Sequence, residues 1–268
     1  MRFGCCGNLI SPCTDPVGAE IVETLAELQY DYIELSLSHL TALREPVFSN
    51  LVRRIERSGI GCEACNNSFP SHIRLTGPDA HLKAALQYAE EALARAAQLG
   101  VKTVVFGSAG ARNVPAGFSY KTAWQQIVDL LRSLGERAQM YGITIAVEHL
   151  NHQESNIVTL ASEAMQHARE VGHPNVQLLI DYYHLGRENE DFGILLEAGS
   201  MIRYVHFAEV QSRSFPVEDN EHYGKFFDRL RSLRYDGRCS IEAYTQNLAS
   251  DGKRALEKLK EIVKSAEM

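Results

Sequence analysis

The stretch 176-VQLLIDYYHLGRENED-191 sets the fold problem: an apolar run ends in Asp181, and His184 follows three residues later. Alternation along a strand puts Val176, Leu178 and Ile180 on one face and Gln177, Leu179 and Asp181 on the other. The same division recurs in 143-ITIAVE-148, where Ile143, Ile145 and Val147 oppose Thr144, Ala146 and Glu148. In 239-CSIE-242, Cys239 and Ile241 oppose Ser240 and Glu242; in 202-IRYVHFAE-209, Tyr204 and His206 oppose Val205 and Phe207. A uniformly apolar face suits a covering layer of helices. The other face, with its late polar residue, then points into a barrel.

Working outward, strands are predicted at 2–6, 32–36, 60–66, 101–107, 143–149, 176–182, 202–209 and 238–244. Amphipathic stretches separate them, as in 79-DAHLKAALQYAEEALARAAQLG-100, where Leu82, Leu86, Ala89, Leu93 and Ala96 recur at three or four and Gly100 stops the helix. Segments 120–142 and 251–268 read the same way. Eight βα units of about 30 residues each predict a closed α/β (β/α)8 TIM barrel, a single domain over 1–268. The alternative is an open doubly wound sheet, but no Gly-rich phosphate fingerprint follows the first strand.

Composition narrows the function classes. Hydrophobic residues make up 45% and charged residues 23%, an ordinary globular balance, and the net charge of −7 supplies no electrostatic footprint for nucleic acid. No apolar run reaches the roughly 18 residues of a membrane span. Met1 leads straight into 3-FGCCGNLI-10 without the pattern of a signal peptide, so a cytoplasmic protein is expected. Cys5, Cys6, Cys13, Cys62, Cys65 and Cys239 are then expected to be reduced and structural; 62-CEAC-65 has no second CxxC to complete a zinc site.

Barrel active sites form at the C-terminal strand ends, and neighbouring strands lie roughly 4.8 Å apart. Glu148, Asp181, His206 and Glu242, late on strands five to eight with matching parity, should therefore converge. Three carboxylates and an imidazole repel and are poorly solvated without a cation. One divalent ion (Mn²⁺, Co²⁺, Mg²⁺ or Zn²⁺) removes that problem.

The order 148-EHLN-151, 181-DYYH-184, 205-VHFAE-209 and 241-IEAY-244 resembles the xylose-isomerase-like barrel superfamily, and more narrowly its sugar (phosphate) isomerase/epimerase group with the ketose 3-epimerases and hydroxypyruvate isomerases. Segments 69-FPSHIRLTGPD-79 and 104-VVFGSAGARNVP-115 look like family loops, so the resemblance spans nearly the whole chain. It implies Glu148, Asp181, His206 and Glu242 as metal ligands, with Glu148 and Glu242 doubling as acid and base. It also implies Glu154, His184 and Arg213 around substrate oxygens, although Arg213 stands about one residue further from its histidine than in the known epimerases. A metal holding a carbonyl and the adjacent hydroxyl stabilises the enediolate formed when the intervening C–H loses its proton. Return of the proton to the other face epimerises the carbon; return to the neighbouring carbon isomerises aldose and ketose. The group's barrels are often dimers or tetramers, so a homo-oligomer is implied.

Further residues are weighed against plainer roles. Arg112, after strand four, is expected either to meet a substrate carboxylate or phosphate or to pack its loop; neutral-ketose epimerases often present an aromatic group nearby. Asn66, and Glu34 inward on strand two, line the pocket or serve the scaffold. His39, His81, His167 and His173 are expected at the surface, and 218-EDNEH-222 in an exposed loop or lid. Two rival chemistries remain. An apurinic endonuclease would need extra histidines and an Asp-x-His that are missing after strands four and seven. A lyase or dehydratase of a keto-polyol such as an inosose or dehydroshikimate would expel a β-substituent, with His149 or His184 assisting. A non-catalytic sugar-binding or partner subunit is the third reading.

Overall fold

The computed structural model describes residues 1–11 and 14–264. Eight strands, β1 Arg2–Cys6, β2 Tyr32–Ser36, β3 Gly61–Asn66, β4 Thr103–Phe106, β5 Thr144–Glu148, β6 Val176–Asp181, β7 Ile202–Phe207 and β8 Arg238–Ile241, form a closed barrel in chain order. Every pairing is parallel, and β8 returns to β1 with Phe3 opposite Cys239. The predicted helices close over it: Leu82–Gln98 is followed by Gly100 at φ +82°, and Tyr120–Met140 by Gly142 at φ +65°.

The parity read from sequence is the parity of the fold. Ile145, Val147, Leu178, Ile180, Val205, Phe207, Cys239 and Ile241 lie in the layer between strands and helices. Tyr32, Ala64, Val105, Ala146, Leu179 and Tyr204 form a separate cluster inside the barrel. Gly4 makes room for the Tyr32 ring, because a Cβ there would lie 2.2 Å from Tyr32 Cε2. The polar strand-end residues sit above this apolar floor.

Other particulars differ from expectation. Leu82 is 45% exposed, since it opens its helix beyond the sheet; the buried stripe is Ala85, Ala89, Ala92, Leu93 and Ala96. Three short helices at the barrel mouth, Leu37–Thr41, Ala109–Arg112 and Tyr182–Arg187, carry too few residues for a periodic signal. Cys5, Cys6, Cys62, Cys65 and Cys239 are free and buried, whereas Cys13 lies outside the described residues. No described helix is long and apolar enough to cross a membrane.

His167 is not a surface group. It is fully buried on the inner face of the helix Ala161–Val171, its ring 3.6 Å from that of Trp124 between centroids, with Nδ1–H donating to the Glu163 carbonyl. Burial pushes it down from 6.5 to about 4. Below pH 6.5 the unfolded chain takes up a proton that the folded protein excludes until about pH 4, so stability falls as pH drops through that interval. The loss is at most about 3–4 kcal/mol, at about 1.4 kcal/mol per pH unit. Urea denaturation across this range should show a shallower pH dependence for His167→Phe than for the parent protein.

Candidate metal centre

The four residues from β5 to β8 meet. Ligand atoms of Glu148, Asp181, His206 and Glu242 all lie within 4.8 Å of one another, and each residue is more than nine-tenths buried. His206 Nδ1 is 3.1 Å from Glu148 Oε1, 3.6 Å from Glu242 Oε2 and 3.8 Å from Asp181 Oδ2.

Local structure explains how each is held. Asp181 ends β6 and caps the helix Tyr182–Arg187, its Oδ1 accepting from the His184 amide at 3.1 Å. Its own amide donates to His149 Nε2 at 3.2 Å. His149 is thus a buried scaffold residue, kept well below its usual pKa by burial, with the charge of Arg112 adding to the effect. It does not take the leaving-group role considered for a lyase. Glu242 accepts from Asn66 Nδ2 at 3.2 Å and from Arg213 Nη2. Burial pushes the Glu242 carboxyl up, but the positive charges of His206 and Arg213 outweigh it and hold the group below the ordinary range. Glu148 has no such rim partner, and burial raises it. Its Oε2 presses on the backbone of Gly107, where a Cβ would lie 1.7 Å away.

The expected substrate-side residues mostly assemble beside this cluster. Arg213 bridges Glu242 and Glu154, donating to Glu154 Oε1 at 3.0 Å, with its guanidinium 4.8 Å over the Tyr183 ring. Its backbone sits at φ +51°, in the left-handed region that arginine rarely adopts. His184 Nδ1 accepts from the Asn151 amide at 3.1 Å, so Nε2 carries the proton. That Nε2 is buried and 3.7 Å from Asp181 Oδ2, without a hydrogen-bond partner among the described residues. Asn66 reaches the centre through Glu242.

Arg112 is the exception. It is completely buried and donates to the carbonyls of Phe106 (2.9 Å), Glu148 (2.8 Å) and Val158 (3.3 Å). These bonds tie the end of β4, the end of β5 and the following loop together beneath the site. Its guanidinium does not face the cleft. The plainer role, loop packing, is the one the structure gives it.

A cleft of about 560 Å³ opens above the cluster, lined by Ser71, the 107–110 segment, Glu148, Glu154, Arg213 and Glu242. Among the described residues, five carboxylates (Glu34, Glu148, Glu154, Asp181, Glu242) meet one guanidinium, Arg213, and two imidazoles, His184 and His206. Three oxygen donors, one nitrogen donor and this surplus of negative charge fit a divalent cation.

The family model described as xylose isomerase-like TIM barrel matches residues 22–265. The chain belongs to this family. Among its relatives, a D-psicose 3-epimerase from Agrobacterium fabrum is 24% identical over 232 residues, covering 84% of this chain and 78% of that protein. An L-ribulose 3-epimerase from Mesorhizobium japonicum is 25% identical over 238 residues, covering 87% and 78%. A crystal structure of D-psicose 3-epimerase with D-tagatose from Clostridium cellulolyticum H10 superimposes with a TM-score of 0.87 at 19% identity, over 98% and 99% of the two chains.

Sequence reasoning did not single out Asn151, Tyr183 or Gly107. The first two lie within the quoted 148-EHLN-151 and 181-DYYH-184, and Gly107 directly follows an apolar strand. Gly107→Ala should displace the Glu148 carboxylate and weaken Mn²⁺ binding about tenfold or more, a ligand-geometry effect of the size expected near metal sites. Calorimetric titration of the folded variant with Mn²⁺ measures it.

Proposed function

We propose that this protein is a divalent-metal-dependent epimerase or isomerase of a ketose or related hydroxy-carbonyl sugar. The observation that carries the reading is the convergence of Glu148, Asp181, His206 and Glu242 within 4.8 Å, with Glu148 and Glu242 lining the cleft. The ketose 3-epimerases among the relatives support the substrate class.

These four residues would hold the ion, which when bound supplies Lewis acidity to a carbonyl and its neighbouring hydroxyl. The remaining work falls to side chains. Glu148 on β5 and Glu242 following β8 approach the cleft from different strands, so one removes the proton from the carbon beside the carbonyl and the other returns a proton to its opposite face. Arg213 fixes the Glu242 carboxylate, and its second arm sets Glu154 beside the same substrate position. The free Nε2–H of His184 donates to a substrate oxygen next to Asp181. Burial of the cluster keeps bulk water from quenching the transferred proton.

Glu148→Gln and Glu242→Gln should each lower kcat by about 10²–10⁴-fold, the usual weight of a positioned acid or base, with the fold intact by circular dichroism. Incubating ketoses, hydroxypyruvate and inososes in D₂O should place deuterium on one carbon with inversion, or move it to the neighbouring carbon. Loss of water would identify a dehydratase instead. EDTA should abolish activity and Mn²⁺ or Co²⁺ restore it; full turnover after verified metal removal refutes the metal role.

A further inference from the structure

We propose that Glu34 is a positioning residue that commits His206 to ligate through Nδ1. The inference rests on the metal-dependent reading, since it concerns how one of the four ligands is held. Glu34, on β2, is completely buried and is not among the residues lining the cleft. His206 Nε2 lies 3.0 Å from Glu34 Oε1 and 3.2 Å from Oε2, while Nδ1 faces the three carboxylates of the cluster. A neutral imidazole carries one N–H and one lone pair. A bond donated from Nε2 to Glu34 leaves the lone pair on Nδ1, where an ion would sit. Cys6 Sγ, 4.0 Å from Nε2, is a weak alternative acceptor.

Glu34 is itself held from below. Tyr204, two residues before His206 on the same face of β7, donates its hydroxyl to Glu34 Oε2 at 2.7 Å. That hydroxyl lies 2.7 Å from Ser240 Oγ, which can donate to it in turn. A hydrogen-bonded chain from Ser240 through Tyr204 and Glu34 to His206 thus crosses the barrel interior beneath the site. The neighbouring interior positions are filled by Ala64, Val105, Ala146 and Leu179. An apolar side chain at position 34 would pack there without the desolvation of a carboxylate. The imidazole accounts for the charge.

The test titrates substrate-free protein with Mn²⁺, following free Mn²⁺ by electron paramagnetic resonance, and follows the His206 Nε2–H proton by NMR in the Zn²⁺-loaded form. Glu34→Leu should weaken Mn²⁺ binding about 10–100-fold, the range for removing a group that orients a ligand, and should abolish the exchange-protected N–H signal. Glu34→Gln, whose carbonyl still accepts the bond, should retain the signal but shift it upfield and bind Mn²⁺ several-fold more weakly, because a neutral acceptor is weaker than a charged one. Parental affinity with an unshifted signal in either variant overturns the inference. If Glu34→Leu does not fold, the Gln variant decides alone. A parent protein that binds no Mn²⁺ overturns the metal-dependent reading, and this inference with it; the parental titration separates the two failures.

Discussion

A single imidazole lies between carboxylates on two sides, and the upper half of the barrel is organised around it. Glu34 meets His206 at Nε2, and Glu148, Asp181 and Glu242 surround Nδ1. Burial works against a charged ring, but the surrounding anions outweigh it and push the imidazolium well above its usual range. So much like charge in so little solvent is stable only when each oxygen has a donor or a cation. The cluster's surroundings follow from that requirement.

Three devices meet it. The helix beginning at Tyr182 supplies an amide to one oxygen of Asp181 and leaves the other facing His206. Arg213, in a left-handed backbone turn stacked on Tyr183, supplies charge to Glu242 and Glu154. Gly107 offers Glu148 bare backbone, so the carboxylate is positioned by the absence of a side chain. Strands hold Glu148, Asp181 and His206, Glu242 directly follows β8, and the loops adjust their partners.

The barrel and the four-residue cluster were legible because strand alternation is a two-state code. Once the helix-facing residues of β5 to β8 are apolar, their neighbours have only the interior left to face. The code says nothing about long side chains leaving loops. Arg112 lies within the 104–115 segment that looks like a family loop, but its destination depends on three carbonyls, from Phe106, Glu148 and Val158, that only the folded backbone brings together. His167 was misplaced for a related reason: its helix presents a polar residue inward, against Trp124, where an apolar stripe was the natural expectation. Glu34 was placed inward by parity, but its partner sits 172 residues away, so the contact could not be read from spacing.

The guanidinium of Arg112 has a practical consequence for exchanging parts between barrels of this kind. It stitches the β4 end, the β5 end and the loop carrying Asn151, Glu154 and Val158 into one block, and Val158 holds a φ of +57° that a β-branched residue rarely adopts alone. Transplanting that loop without its arginine would leave three acceptors stranded in a dry interior. Transplanting the arginine without the loop would bury a cation with nothing to hold. Segments 106–112 and 148–158 behave as one inheritable cassette, so the walls of the substrate chamber can be swapped only in matched pairs.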